Sequence, residues 1–133
     1  MNSTRMMMAA LVLVGSAFPL AGLQAQPQDI QRTDLLQHEI SVPGREVVQV
    51  RVDIAPGATS IKHSHPGEEV AYVLEGSLEY QLEGRKPVTL KAGETLFIPN
   101  GVAHVAKNVG SGTASELATY IVKKGAPLVA PVE

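Results

Sequence analysis

The sequence predicts an all-β domain, built either as a sandwich or as a jelly-roll barrel, and three observations lead to this prediction. Residues 45–54 alternate strictly, with Val48, Val50, Val52 and Ile54 on one face, which is typical of a half-buried strand. Short runs of this kind recur along the chain between turns rich in glycine and proline. No stretch after the N-terminal segment shows a helical period. Spacing alone does not choose between a sandwich and a barrel.

The individual strands are delimited by turn residues. They are predicted at residues 45–54, 61–65, 69–74, 77–83, 88–90, 96–98, 102–108 and 115–123. Pro66-Gly67 breaks the chain after the second of these strands, and Pro99-Asn-Gly101 is a strong turn signal after the sixth. Residues 124–133, rich in proline and alanine, are predicted to form a loose tail.

The first 25 residues are predicted to be a cleavable signal peptide. Arg5 is their only charged side chain, residues 6–23 form an uncharged, mostly apolar stretch of 18 residues, and the small residue Ala25 precedes the polar Gln26. A membrane anchor is the alternative, because 18 residues approach the lower limit for a span. No basic cluster follows to stop transfer. We therefore expect a periplasmic or secreted protein, free of the membrane after cleavage.

The composition of the remaining 108 residues narrows the functional classes. They carry 10 basic and 13 acidic residues, a net charge of −3, with the charges interspersed, so nucleic acid is not an expected partner. The chain has no cysteine, which excludes a disulfide and a lipid anchor on cysteine. Such an exported domain must be held together by packing alone or with help from a bound metal.

Three of the four histidines, together with one glutamate, form a candidate metal site. His63 and His65 are one residue apart, so on an extended chain their side chains point the same way. Glu69 follows beyond the Pro66-Gly67 break, and His104 lies about forty positions further on. Three neutral imidazoles and a carboxylate suit a divalent transition metal, which could be iron, manganese, nickel, copper, cobalt or zinc.

Two sequence blocks around these residues resemble the two motifs of the cupin superfamily. The first reads Gly57, five residues, His63-x-His65, three residues, Glu69, six residues, Gly76; the second reads Gly93, five residues, Pro99-x-Gly101, two residues, His104, three residues, Asn108. A gap of 16 residues separates the blocks, as in small bacterial single-domain cupins. The blocks and the gap together span 52 residues, close to half of the predicted mature chain.

The resemblance implies a fold, a metal site and a domain organisation. It implies a single jelly-roll β-barrel over residues 45–123, preceded by an N-terminal segment with the first strand at 26–44 and followed by the tail at 124–133. It also implies that one divalent metal is bound inside the barrel by His63, His65, Glu69 and His104. It does not fix the reaction, since the superfamily includes many kinds of enzyme and plain binding domains.

The neighbours of the ligands suggest the kind of chemistry. Alternation places Ala71, Val73 and Ala106 near the metal, so the walls are expected to be small and apolar, without a second acid or base. We therefore expect a metal-dependent, dioxygenase-like oxidoreductase with a small organic substrate, in which Glu69 could also act as a catalytic base. Three neutral histidines and one carboxylate leave a divalent ion with a charge of +1, which favours an anionic substrate.

Two other functions stay open, and so does the oligomeric state. The chain could be a non-catalytic cupin that binds or senses a metal or small ligand, or a lyase or decarboxylase for a small carboxylic acid. Alternation also places Val70, Tyr72 and Leu74 on the outside of their strand. This apolar row predicts a homodimer interface, unless a second sheet or the tail covers it.

Overall fold

The computed structural model describes residues 29–133, and the predicted signal peptide lies outside this range. All regular structure in the range is β. Accordingly, no helix within residues 29–133 is long and apolar enough to span a membrane. The strands are β1 Ile30–Glu39, β2 Arg45–Ile54, β3 His63–Ser64, β4 Gly67–Glu75, β5 Ser77–Leu82, β6 Val88–Lys91, β7 Thr95–Ile98, β8 His104–Asn108, β9 Ala114–Lys123 and β10 Ala130–Pro131.

These strands form two five-stranded sheets. The first has the order β1-β2-β9-β4-β7, and the second has the order β10-β3-β8-β5-β6. Every recorded pairing is antiparallel, from the ten-residue ladder of β2 with β9 to the single pair that joins β3 to β8. The all-β class is thereby confirmed, whereas the closure of the sheets into a barrel stays a prediction.

The core lies between the sheets and is built from the inward faces of alternating strands. Along β4 the residues alternate between buried and more exposed positions over most of its length, as a strand with one solvent-facing side requires. Side chains from both sheets meet in one buried cluster, to which the first sheet contributes Val50 and Val73 and the second contributes Leu78 and Tyr80. The largest of these are at most 1% exposed.

Gly67 allows β4 to lie close against β9 just before the predicted ligand Glu69. A Cβ at this position would collide with the carbonyl oxygen of Ile121 on β9. With hydrogen alone at that position, β4 pairs with β9 along almost its entire length, starting at Gly67 opposite Val122. This pairing fixes the depth at which Glu69 enters the space between the sheets.

The C-terminal residues differ from the loose tail that we expected. Ala130 and Pro131 form β10, which pairs with Ser64 and His63, and the Val132 amide donates to the Lys62 carbonyl at 2.9 Å. β3 would otherwise present an open edge beside the site, and the tail satisfies its backbone groups.

Candidate metal centre

Two strand positions and the residue just after β3 bring the predicted histidines together. His63 on β3 is paired directly with His104 on β8, so their side chains leave the sheet on the same side. His65 follows two residues after His63, and the three ring centroids lie 4.4 to 5.1 Å apart. All three residues are buried, and one ligand nitrogen from each lies within 4.8 Å of the others. The three histidines could therefore hold a metal ion.

Backbone carbonyl groups fix the tautomer of every ring in this cluster. The Nδ1 atoms of His63, His65 and His104 lie 2.7, 2.6 and 2.9 Å from the carbonyl oxygens of Ile61, Leu128 and Val102, respectively. A carbonyl oxygen only accepts, so each Nδ1 must carry the proton and donate it. A neutral ring then presents the lone pair of Nε2, which is the form that coordinates a metal.

The fourth predicted ligand, Glu69, approaches the same point from the other sheet. It lies opposite Tyr120 in the pairing of β4 with β9 and is 2% exposed. Its Oε2 atom is 3.0 Å from His65 Nε2 and 3.3 Å from His104 Nε2. The neighbouring Glu68 is only half-buried. The structure thus brings all four predicted residues together.

The donor set in this cluster fits a divalent cation. His65 Nε2 and Glu69 Oε2 are buried and have no hydrogen-bond partner, although they face each other at short distance. Two atoms that both offer lone pairs repel, and burial without a partner is costly. A cation bound by both atoms would remove this conflict, so the residues present are suited to the metal that the sequence predicts.

The ionisation of the cluster is set by burial and by mutual charge. Burial lowers the pKa of His63 to about 4, so this ring is neutral at pH 7. Burial opposes charge on Glu69, but His104 and His65 beside it outweigh burial and lower its pKa to about 2. Burial also opposes charge on His104, but the contact with Glu69 prevails and raises the pKa of His104. Protons and a metal ion therefore compete for this site.

The cluster opens into a cavity of about 490 Å³ between the two sheets. His63, Glu69 and His104 contribute to its lining, and aliphatic side chains such as Val52 and Ile54 form part of its wall. Its size falls in the usual range for small-molecule sites.

The expectation of a small, apolar wall without a second acid or base is wrong. Tyr80, Glu116, Tyr120 and Arg32 also line the cavity. The Tyr80 hydroxyl donates to the Glu116 carboxylate, both groups being buried, and burial together with the charge of Glu69 raises the pKa of Glu116 to about 7. The sequence did contain a signal for Glu116, because the period-two pattern of β9 places this residue on the same inward face as the buried alanines of the strand.

Asn108, the last residue of the second motif, lies outside the cluster. Its buried side-chain amide donates to the carbonyls of Ile54 and Gly112, both at 2.8 Å, and accepts from the Gly110 amide at 2.9 Å. Asn108 therefore stabilises the turn between β8 and β9, and it does not contribute to the cavity wall.

Fold and site together define a small two-sheet β protein with a buried three-histidine cluster at the base of a cavity. The Cupin domain family matches residues 50–123, more than half of the chain, and the chain belongs to this family.

Curated relatives and solved structures agree with this assignment. A germin-like protein of Arabidopsis thaliana, subfamily 2 member 2, is 39% identical over an alignment of 87 residues, and the match covers 59% of this chain and 40% of that protein. Oxalate oxidase GF-3.8 of Triticum aestivum is 36% identical over an alignment of 114 residues, and the match covers 77% of this chain and 50% of that protein. The chain thus spans half or less of the length of these relatives.

Two solved structures extend the comparison to the fold. An oxalate oxidase structure superimposes with a TM-score of 0.65 at 28% identity, covering 84% of this chain and 59% of that one. The DMSP lyase DddQ from Ruegeria pomeroyi gives 0.56 at 25% identity, with 61% and 41% covered.

Proposed function

We propose that this cupin is an exported, metal-dependent oxidoreductase of the dioxygenase type, with a small, anionic organic substrate. The observation that carries the proposal is the convergence of three Nε2 lone pairs and the Glu69 carboxylate at the base of the cavity. The similarity to oxalate oxidases supports oxygen chemistry on an organic acid.

In this proposal His63, His65, Glu69 and His104 hold one divalent transition metal. Such an ion supplies Lewis acidity and, if it is redox-active, a route for electrons to dioxygen. Among the chain's own residues, the aliphatic wall excludes water from the reacting groups. Tyr120 packs on the His65 ring, with 4.6 Å between the centroids, and so restrains this ring from the side. A dual role of Glu69 as ligand and base stays a prediction.

The test begins with the metal content of the purified protein. Elemental analysis should find close to one transition-metal ion for each chain, and oxygen uptake should then be measured with a panel of small organic acids. Protein reconstituted separately with iron, manganese, nickel, copper, cobalt and zinc shows which ion supports turnover. Metal binding without oxygen uptake, whatever the ion or acid, would instead favour the non-catalytic binding or sensing function.

One observation favours a second candidate, a lyase or decarboxylase. Both reactions need a group that moves a proton, and Glu116 is a buried carboxyl group in the cavity whose pKa is raised to about 7. The same acids should then be analysed for products under nitrogen. Product formation without oxygen that is lost in a Glu116→Gln variant would support this candidate over the oxidoreductase.

We further propose a homodimer through the outer face of the first sheet. The predicted row of Val70, Tyr72 and Leu74 is extended on this sheet by Phe97 and Ile121, and these five side chains are 39 to 54% exposed. Val70 lies directly opposite Phe97 on the edge strand β7. Such a contiguous apolar face is typical of a contact surface.

Light scattering after size exclusion tests the dimer. The wild-type protein should run at twice the monomer mass, and Phe97→Glu should reduce it to the monomer because a charge would be buried at the interface. Val88→Glu, at a similarly exposed apolar position on the second sheet, is the control and should remain dimeric. A monomeric wild-type protein at micromolar concentration would contradict the proposal.

Export is tested by N-terminal sequencing of the periplasmic protein, which should begin at Gln26.

A further inference from the structure

Arg32 is a cation on the wall of the candidate site that the metal centre does not use. Along β1, Ile30 and Arg32 are half-buried whereas Gln31 is exposed, so Ile30 and Arg32 share the side that faces the cavity. Both side chains line the same cavity as His63 and His104. The guanidinium group donates to the hydroxyl of Tyr120, whose ring packs on His65. The cation is thus connected to the ligand cluster through a single side chain.

The hydrogen-bonding capacity of this guanidinium is largely unused. Its contact with the Tyr120 hydroxyl is long, at 3.4 Å, and residues 29–133 contain no ion pair to Arg32. A guanidinium group carries five N–H donors in a planar fork that matches a carboxylate. By contrast, Arg51 on the neighbouring strand is engaged with Asp53 and Ser115. Arg32 therefore offers a docking point for an anion inside the cavity.

The space between this cation and the histidines is larger than the smallest organic acids need. A cavity of about 490 Å³ has room for about sixteen non-hydrogen atoms, if each takes a volume similar to that of a water molecule. Ile30, Val52 and Ile54 line it and favour an apolar group. Oxalate consists of two carboxylates with nothing between them, so it would leave most of this apolar wall uncovered.

We propose that Arg32 is a specificity-determining residue that binds a substrate carboxylate, and that the cavity takes small organic acids with an apolar body, longer than oxalate. This inference rests on the proposed function in placing the substrate in this cavity. It adds the substrate class, and it names a residue on β1, outside both sequence motifs. Its test is direct binding, so it does not depend on turnover.

Isothermal titration calorimetry with the metal-free and the zinc-loaded protein provides the measurement. The probes are hexanoate and phenylacetate, the uncharged hexanamide, and oxalate. Hexanoate and phenylacetate should bind the wild-type protein, and Arg32→Gln should weaken them by about ten- to a hundred-fold, which is the loss expected for a charged hydrogen bond. Arg32→Lys should retain part of the affinity, and Arg51→Gln is the matched control that should bind as the wild type does. Hexanamide should bind weakly and be indifferent to the change at Arg32.

Three results would overturn the inference. They are unchanged hexanoate affinity in Arg32→Gln, equal affinity for hexanoate and hexanamide, and tighter binding of oxalate than of both longer acids. The failure of this inference is distinguishable from the failure of the proposed function. Arg32-dependent binding by a protein that takes up no metal would refute only the metal-dependent oxidoreductase, whereas metal uptake without binding of either longer acid would refute only the role of Arg32.

Discussion

Replacing Glu69 by glutamine tests whether the carboxylate belongs to the metal centre. The substitution keeps the shape of a side chain that is 2% exposed and removes the negative charge beside two ligand nitrogens. Loss of a group that hydrogen-bonds to a metal ligand costs about ten- to a hundred-fold in metal affinity. Loss of a charged ligand itself should therefore cost at least about a hundred-fold. In free energy this is about 3 kcal/mol.

The expected change in thermal stability follows from binding linkage. A metal at about 1,000 times the wild-type dissociation constant stabilises the native state by about 4 kcal/mol. The same concentration is only about ten times the dissociation constant of the variant, where the stabilisation falls to about 1.4 kcal/mol. For a domain of this size, 1 kcal/mol corresponds to about 4–8 °C. The increase in melting temperature on metal addition should therefore shrink by roughly 10 to 20 °C.

Scanning calorimetry with and without each metal measures this increment, and Glu68→Gln is the matched control. Glu68 is half-buried and points away from the cluster, so its variant should keep the full wild-type increment. If Glu69→Gln also keeps the full increment, Glu69 is not a ligand and the centre consists of histidines alone. If no divalent transition metal raises the melting temperature of the wild-type protein, the metal site itself is refuted.

Three further predictions concern the groups around the site. The pKa of Glu116 is raised in the folded state from 4.5 to about 7, so its contribution to stability is present below pH 4.5 and is lost as the pH rises through 7. The free energy of unfolding of metal-free Glu116→Gln, measured with urea, should therefore rise relative to that of the wild type by up to about 3 kcal/mol as the pH goes from 4.5 to 7. A difference between the two proteins that does not change with pH would contradict this assignment. Gly67→Ala should lower the free energy of unfolding by about 1–3 kcal/mol, the cost of overpacking, because β4 must move away from β9. The same movement should weaken metal binding. Unchanged thermal unfolding and metal titration in calorimetry would contradict this prediction. Deletion of residues 127–133 should reduce metal affinity about ten-fold, since His65 loses its carbonyl acceptor, whereas removal of Glu133 alone should leave metal titrations unchanged.

The candidate ligands could be predicted because local rules and a fixed spacing govern them. An extended backbone places His63 and His65 on one side, and the resemblance to a known pair of motifs supplied Glu69 and His104. The strand boundaries were also close, with 45–54 matching β2 in full. What sequence rules could not supply is the direct pairing of His63 with His104, because register between distant strands depends on the packing of the whole sheet.

The residues that were missed are placed by tertiary structure. Arg32 lies on a strand with little apolar alternation, and a register shift between Asp34 and Leu36 separates its half of β1 from the exposed half. The strand β10 has two residues, one of them proline, and pairs only because β3 offers it an edge. Glu116 was readable from the alternation in β9, but the cavity that it lines requires both sheets.

The cross-strand pair of His63 and His104 has a consequence for recognising such sites in other genomes. Inserting or deleting one residue within either strand would turn a histidine to the opposite side of the sheet, while every ligand would still be encoded. The exposed turn at residues 83–87, between β5 and β6, tolerates changes of length far more readily, because it crosses the surface. Genome searches should therefore allow gaps at this turn and forbid them inside the strands, since a count of histidines alone would retain chains that have lost the centre.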